Sequence, residues 1–223
     1  MGALMDLAKV LFEPTAVFER VREKPSFLMP FIGLSIVQMV VTALNLPFVK
    51  AMMQARMASA PAGGPDPSKF AVIGIATAPI GIAVILVIIG FVLWVLVSIM
   101  GGEAKFKTLM SVGAYSAVPS VVLLNLVGAL ILRLKGVESV TSPMDMQPAI
   151  GLDLVMPGAT GFLGAVLKGI NPFSIWALVL TAIGVSTTHR LSKGTGYTVA
   201  TISFLLGLLL GASAAAMFAG RAG

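Results

Sequence analysis

Cysteine is absent from the chain, and histidine occurs once. The first absence excludes disulfides, thiolate metal sites and cysteine nucleophiles. The second excludes clusters of histidine metal ligands. Charge is scarce too: 11% of the 223 residues are Asp, Glu, Lys or Arg, where a soluble domain carries about 25%. Apolar residues take their place, at 57% of the chain with a mean hydropathy of +1.01. So few charges could not screen that much apolar surface from water, and lipid as the solvent removes the conflict. The net charge of +6 is spread over short segments, as in loops beside anionic lipid. No basic cluster is interleaved with aromatics, which argues against nucleic-acid binding.

A spanning helix needs about 20 apolar residues, since each rises about 1.5 Å across a hydrocarbon core of about 30 Å. Five charge-poor stretches meet that length, at about 27–46, 70–100, 108–132, 172–188 and 197–219. The expected fold is therefore all-α: a polytopic bundle of five spans over 25–220, preceded by an N-terminal amphipathic segment, 1–24. In the first span Pro25 and Pro30 sit in or before the first turn, and Pro47 marks the exit. The second is longer than a bilayer requires, and Pro79 is its expected kink. Pro119 interrupts the third. Asn171 and Pro172 form a cap and first residue for the fourth. Gly194 and Gly196 join the fourth and fifth as a tight antiparallel hairpin.

Outside the spans, Met1 to Lys24 carries four acidic and four basic residues with no unbroken apolar core, unlike a secretory signal. It reads as two short helices broken near Glu13–Pro14. Leu4, Leu7, Ala8 and Leu11 form one apolar face, suited either to the membrane surface or to an ordinary cytosolic helix. Ser59 to Ser68 is a loop by composition, and Gly136 to Pro157 a longer polar one. Ala159 to Ile170 is too short to span and reads as an interfacial or re-entrant piece. With the N-terminus inside, eight basic residues fall on the inner side and seven on the outer. The inner ones lie closer to span ends, and that sets the expected orientation: a bacterial cytoplasmic (inner) membrane with a cytoplasmic N-terminus.

No charge lies near the centre of any span, whereas ion-coupled transporters and proton pumps usually bury charged groups along their path. The deepest polar residues include Gln38, Asn45 and Asn125, a candidate intramembrane cluster. Such groups more often hydrogen-bond between helices than line a substrate path. His189, beside Arg190 at a helix end, suits a structural role better than that of a base. No G-x-S-x-G elbow surrounds any serine. With no nucleophile–base pair, no enzyme and no cofactor are expected. The sharpest positive pattern is in the fifth span. Ser203, Gly207, Gly211, Ala215 and Ala219 recur every four residues, one stripe of small side chains that lets two backbones approach closely. Packing within the chain and a face for a homodimer or another membrane protein both fit it.

Three segments carry a family resemblance. LAKVLFEPTAVFERVREKPSFLMPF resembles the opening of Yip-domain proteins, a family named for interaction with Ypt/Rab GTPases. GGEAKFKTLMSVGAYSAVPSVV is similar to the family's central segment, with Tyr115 four residues before Pro119. NPFSIWALVLTAIGVSTTHRLSKGTGYTVA resembles its fourth-span region. The resemblance implies five spans and a cytosolic N-terminus. Eukaryotic members are linked to vesicle trafficking and Rab binding, through a longer N-terminal region. About two dozen residues precede the first span here, which leaves little to dock a GTPase. The Ala- and Gly-rich chain looks more like prokaryotic members. The expected function is non-enzymatic: a membrane-organising, trafficking-like or assembly protein acting through helix–helix contact, with membrane lipid and itself or another membrane protein as partners. The alternative is a small transporter, channel or lipid-translocating protein using the broken second and third spans.

Overall fold

The computed structural model describes residues 2–58, 67–140, 145–146 and 149–220. Every regular element among them is helical: α1 (Gly2–Lys9), α2 (Pro14–Glu23), α3 (Leu28–Leu44), α4 (Leu46–Ala58), α5 (Pro67–Ile99), α6 (Phe106–Ser116), α7 (Leu124–Lys135), α8 (Gly161–Gly169), α9 (Pro172–His189) and α10 (Lys193–Gly220), with short 3-10 turns at Val137–Ser139 and Leu152–Leu154. A π-helical turn, Pro119–Leu123, joins α6 to α7.

Among the described residues, four stretches are long and apolar enough to cross a membrane alone: Ile73–Ile99, Phe106–Lys135, Pro172–His189 and Lys193–Met217. The bent pair α3 and α4 makes a fifth when counted as one span. Large apolar side chains such as Ile80, Ile85, Phe91 and Leu210 are exposed along these helices. A water-soluble surface rarely shows contiguous apolar patches of more than a few hundred Å². The chain is a polytopic membrane protein whose outer faces contact lipid.

The helix expected at about 27–46 corresponds to α3, and a second helix continues the first crossing beyond it. α3 stops at Leu44, and α4 departs at 53° and continues to Ala58. Pro47 lies in the first turn of α4, where a missing N–H is tolerated, so it ends one helix and opens the next. At this break the Leu44 carbonyl accepts a hydrogen bond from Arg133 Nη2 at 3.0 Å. Near the expected kink, α5 is one helix through Pro79. α5 closes on Gly101 at φ +78°, where Gly101 N–H donates to Ser98 O and Gly102 N–H to Val97 O at 2.9 Å. The expected loop at Ser59–Ser68 lies largely outside the described residues, and Pro67 and Ser68 already belong to α5.

α6 forms the centre of the bundle, with Thr108 through Ser116 all buried. Gly90 of α5 lies against Met110, and Gly113 of α6 against Ile89, so these two helices approach closely. The N-terminal segment does more than lie on a surface. Val17, Phe18 and Val21 of α2 join the main core with Val10, packed against α6 and α9. Pro14 starts α2, which sets Phe18 one turn later against Gly184 of α9. Arg20 Nη2 donates to Asp6 Oδ1 at 2.6 Å and ties α1 to α2. That bond raises the Arg20 guanidinium above its ordinary pKa. Arg22 Nη1 reaches the Thr187 carbonyl at 3.5 Å.

Candidate functional site

The intramembrane polar residues use most of their hydrogen bonds locally. Thr77, Ser98 and Thr181 each donate to the carbonyl four residues back in their own helix. This differs from the interhelical bonding expected of such groups. A hydroxyl on a helix finds its own carbonyl within reach without help from a neighbour. Gln38 and Asn125 do bridge helices: Asn125 Nδ2 donates to Gln38 Oε1 at 3.4 Å and to Val121 O at 2.9 Å. Asn125 thus secures the π turn after Pro119 and links it to α3.

His189 is likewise engaged. The Lys105 backbone N–H donates to His189 Nε2 at 3.3 Å, and Nδ1 lies 2.8 Å from Thr188 Oγ1. Thr188 Oγ1 donates to Gly184 O, so it accepts from Nδ1–H. The ring ties the turn after α5 to the end of α9.

Among the described residues, α7 and α10 share no extensive packing. Between them lies a half-open cavity of about 530 Å³. One wall is the small-residue stripe: Gly207, Gly211 and Ala215 line it, with Phe204, Leu208 and Ala212 beside them. A Cβ built on Gly207 or Gly211 would meet nothing within 4 Å. At Gly207 and Gly211 the stripe therefore faces open space among the described residues. Ser203 is half-buried one turn earlier in α10, and the Ala219 side chain lies outside the described residues. The opposite wall comes from Ser120 in the π turn and from Leu124, Asn125, Gly128 and Ala129.

The remaining wall is more polar. Asn45 lines it from the break between α3 and α4, Lys168 from α8, and Asn171 and Ser174 from the start of α9. Asn171 is buried and caps α9: its Oδ1 accepts from Phe173 N and Ser174 N, and Ser174 Oγ accepts from Asn171 N. Asn45 Oδ1 is buried and has no hydrogen-bond partner. α8 packs along α10 and holds this end of the cavity in place.

The sequence pointed separately to a polar cluster and to a small-residue stripe. The fold brings Asn45, Asn125 and the stripe to one cavity and leaves Gln38 behind Asn125. Pro119 begins the turn beside it, and Pro79 does not line it. Lys168, Ser174 and the cavity role of Asn171 were not legible, because the helices that carry them meet only in three dimensions.

No solved structure matches the chain. It is similar to the membrane protein YknW of Bacillus subtilis (strain 168), at 28% identity over 203 residues that cover 87% of this chain and 83% of the relative. The family model of the Yip1 domain matches residues 8–215, from the docked α1–α2 segment through most of α10. With the three motif-bearing segments inside that match, save Leu7 at the start of the first, the chain belongs to the Yip1 domain family.

Proposed function

We propose that this protein is a non-enzymatic component of the cytoplasmic membrane, N-terminus inside, that organises or assembles membrane components by seating a membrane-embedded partner in the groove between α7 and α10. One observation carries the reading: the small-residue stripe of α10 borders open space. Small residues along a spanning helix serve close backbone approach, since lipid supplies no hydrophobic drive between helices. Left unpacked, such a face forfeits dispersion contacts that a partner would restore. The engagement of His189 in a structural strap supports a non-enzymatic role. Gly207→Ile combined with Gly211→Ile should fill the groove and abolish crosslinking to a partner or to a second copy in native membranes. A double variant that inserts, folds and assembles like the wild type removes the groove from the account.

A second reading, the handling of a small membrane-soluble molecule, has its own support. The break at Asn45 and the π turn at Ser120 both border the cavity. Interrupted helices and π turns are frequent at binding sites in membrane proteins.

A further inference from the structure

We infer that the cleft between α2 and the α9–α10 hairpin holds the phosphate headgroup of an anionic membrane lipid, with the acyl chains along the exposed face of α10 that begins at Tyr197. The site lies apart from the groove between α7 and α10 and does not depend on how that groove is used. Its volume, about 370 Å³, falls in the range of small-ligand sites. The lining is Thr15, Ile183, Ser186, Thr187, Lys193 and Tyr197. Close backbone packing builds it. Gly196 brings α10 against the Ala182 carbonyl and Ser186 of α9. Lys193 and Tyr197, four residues apart, lie on one face of α10. Phe18, seated against Gly184, carries Thr15 from three residues earlier on α2 to the same cleft.

The lining is rich in donors. Ser186 Oγ spends its proton on the Ala182 carbonyl at 2.8 Å. Among the described residues, no ion pair or side-chain hydrogen bond engages the Lys193 ammonium or the hydroxyls of Thr15, Thr187 and Tyr197. No carboxylate lines the cleft, and Glu19, one turn beyond Thr15, is exposed outside it. One cation and three unspent hydroxyls without an acid suit a ligand of anionic acceptor oxygens, as in a phosphate. A choline nitrogen would find no counter-charge there. Two observations favour a lipid over free phosphate. Lys193 opens the crossing Lys193–Met217, so the cleft sits at headgroup level, where a tyrosine ring is at home. From Tyr197 onward, Thr201, Leu205 and Leu209 are exposed at four-residue steps and offer acyl chains one continuous face.

The full chain would be purified in mild detergent, incubated with phosphatidylglycerol or phosphatidylcholine of matched acyl chains, and analysed by native mass spectrometry. Phosphatidylglycerol should be retained roughly fivefold better, the effect of one basic residue beside anionic lipid. Lys193→Gln should erase that preference and Lys193→Arg should keep it, each variant being checked for a monodisperse elution profile. Lys107→Gln removes an exposed cation outside the cleft and should change nothing. Excess inorganic phosphate should leave the lipid bound. Equal retention of the two lipids, or a preference that survives Lys193→Gln, overturns the headgroup assignment. An equal loss in Lys107→Gln and Lys193→Gln reduces the effect to overall charge and overturns the site. Displacement of the lipid by inorganic phosphate makes this a phosphate site and overturns the lipid. Retention that falls in the Gly207→Ile, Gly211→Ile variant and not in Lys193→Gln moves the lipid to the groove and sinks the cleft.

Discussion

Gly184 decides how closely the N-terminal segment docks. A Cβ there would lie 2.7 Å from Val112 Cγ1 and 2.9 Å from Phe18 Cε1. Phe18 and Val112 are fully buried, so neither can swing into solvent. Gly184→Leu should therefore destabilise the protein by about 1–3 kcal/mol, the range for overpacked cores. The apparent melting temperature in detergent would read it, and Phe18→Ala in the same chain should recover part of the loss. A neutral Gly184→Leu would mean that α2 is not seated as described. The sequence makes Phe18 visible as part of the opening F-x-P-x-x-x-F run, Phe12 to Phe18. It gives no hint that Gly184 is the socket, because one glycine inside an apolar helix looks like any other. Gly207 and Gly211 teach the converse lesson. Their spacing is plain in the sequence, but whether the stripe meets a neighbour depends on where α7 comes to rest.

Helix ends, at the scale of elements, were the most legible features. Asn171 and Pro172 mark the start of α9, and a capping box is found there. The cap is buried, so Asn171→Ala leaves two donors without their acceptor. It should lower stability by about 1–2 kcal/mol, and Asn171→Ser should keep most of the wild-type value. Thermal unfolding of the three proteins in one detergent tests this, and an Asn171→Ala chain as stable as wild type contradicts it. Breaks within spans were harder to place. Each of the three prolines, Pro47, Pro79 and Pro119, removes a donor from a helix. One separates two helices at 53°, one sits inside a continuous helix, and one opens a π turn. The proline alone does not fix the outcome: at the first break Arg133 reaches Leu44 O from another helix, and in the π turn Asn125 reaches Val121 O. Those donors are distant or tertiary and cannot be read from the proline itself.

For the whole molecule, the open quantity is the number of crossings, four or five according to the path of α3 and α4. The natural absence of cysteine makes the chain a clean background for labelling. Single cysteines at Glu19, Glu103 and Ser139, all exposed, report the ends of the bundle. With five crossings and the N-terminus inside, an impermeant maleimide added to intact cells should label Ser139→Cys. It should reach Glu19→Cys and Glu103→Cys only after permeabilisation. Labels on opposite sides for Glu19 and Glu103 would make α3 and α4 a re-entrant pair. The amino-acid sequence alone determined that the chain is helical, immersed in lipid and threaded through it several times in a set order. A segment in hydrocarbon must bond its own backbone, so length and composition suffice for that conclusion. Only the tertiary structure decided which faces meet, that α2 plugs the core, and that α7 and α10 stand apart over a cavity. Spans that are apolar on all sides carry no amphipathic signal for an inward face, and in lipid their mutual fit rests on local shape and a few hydrogen bonds.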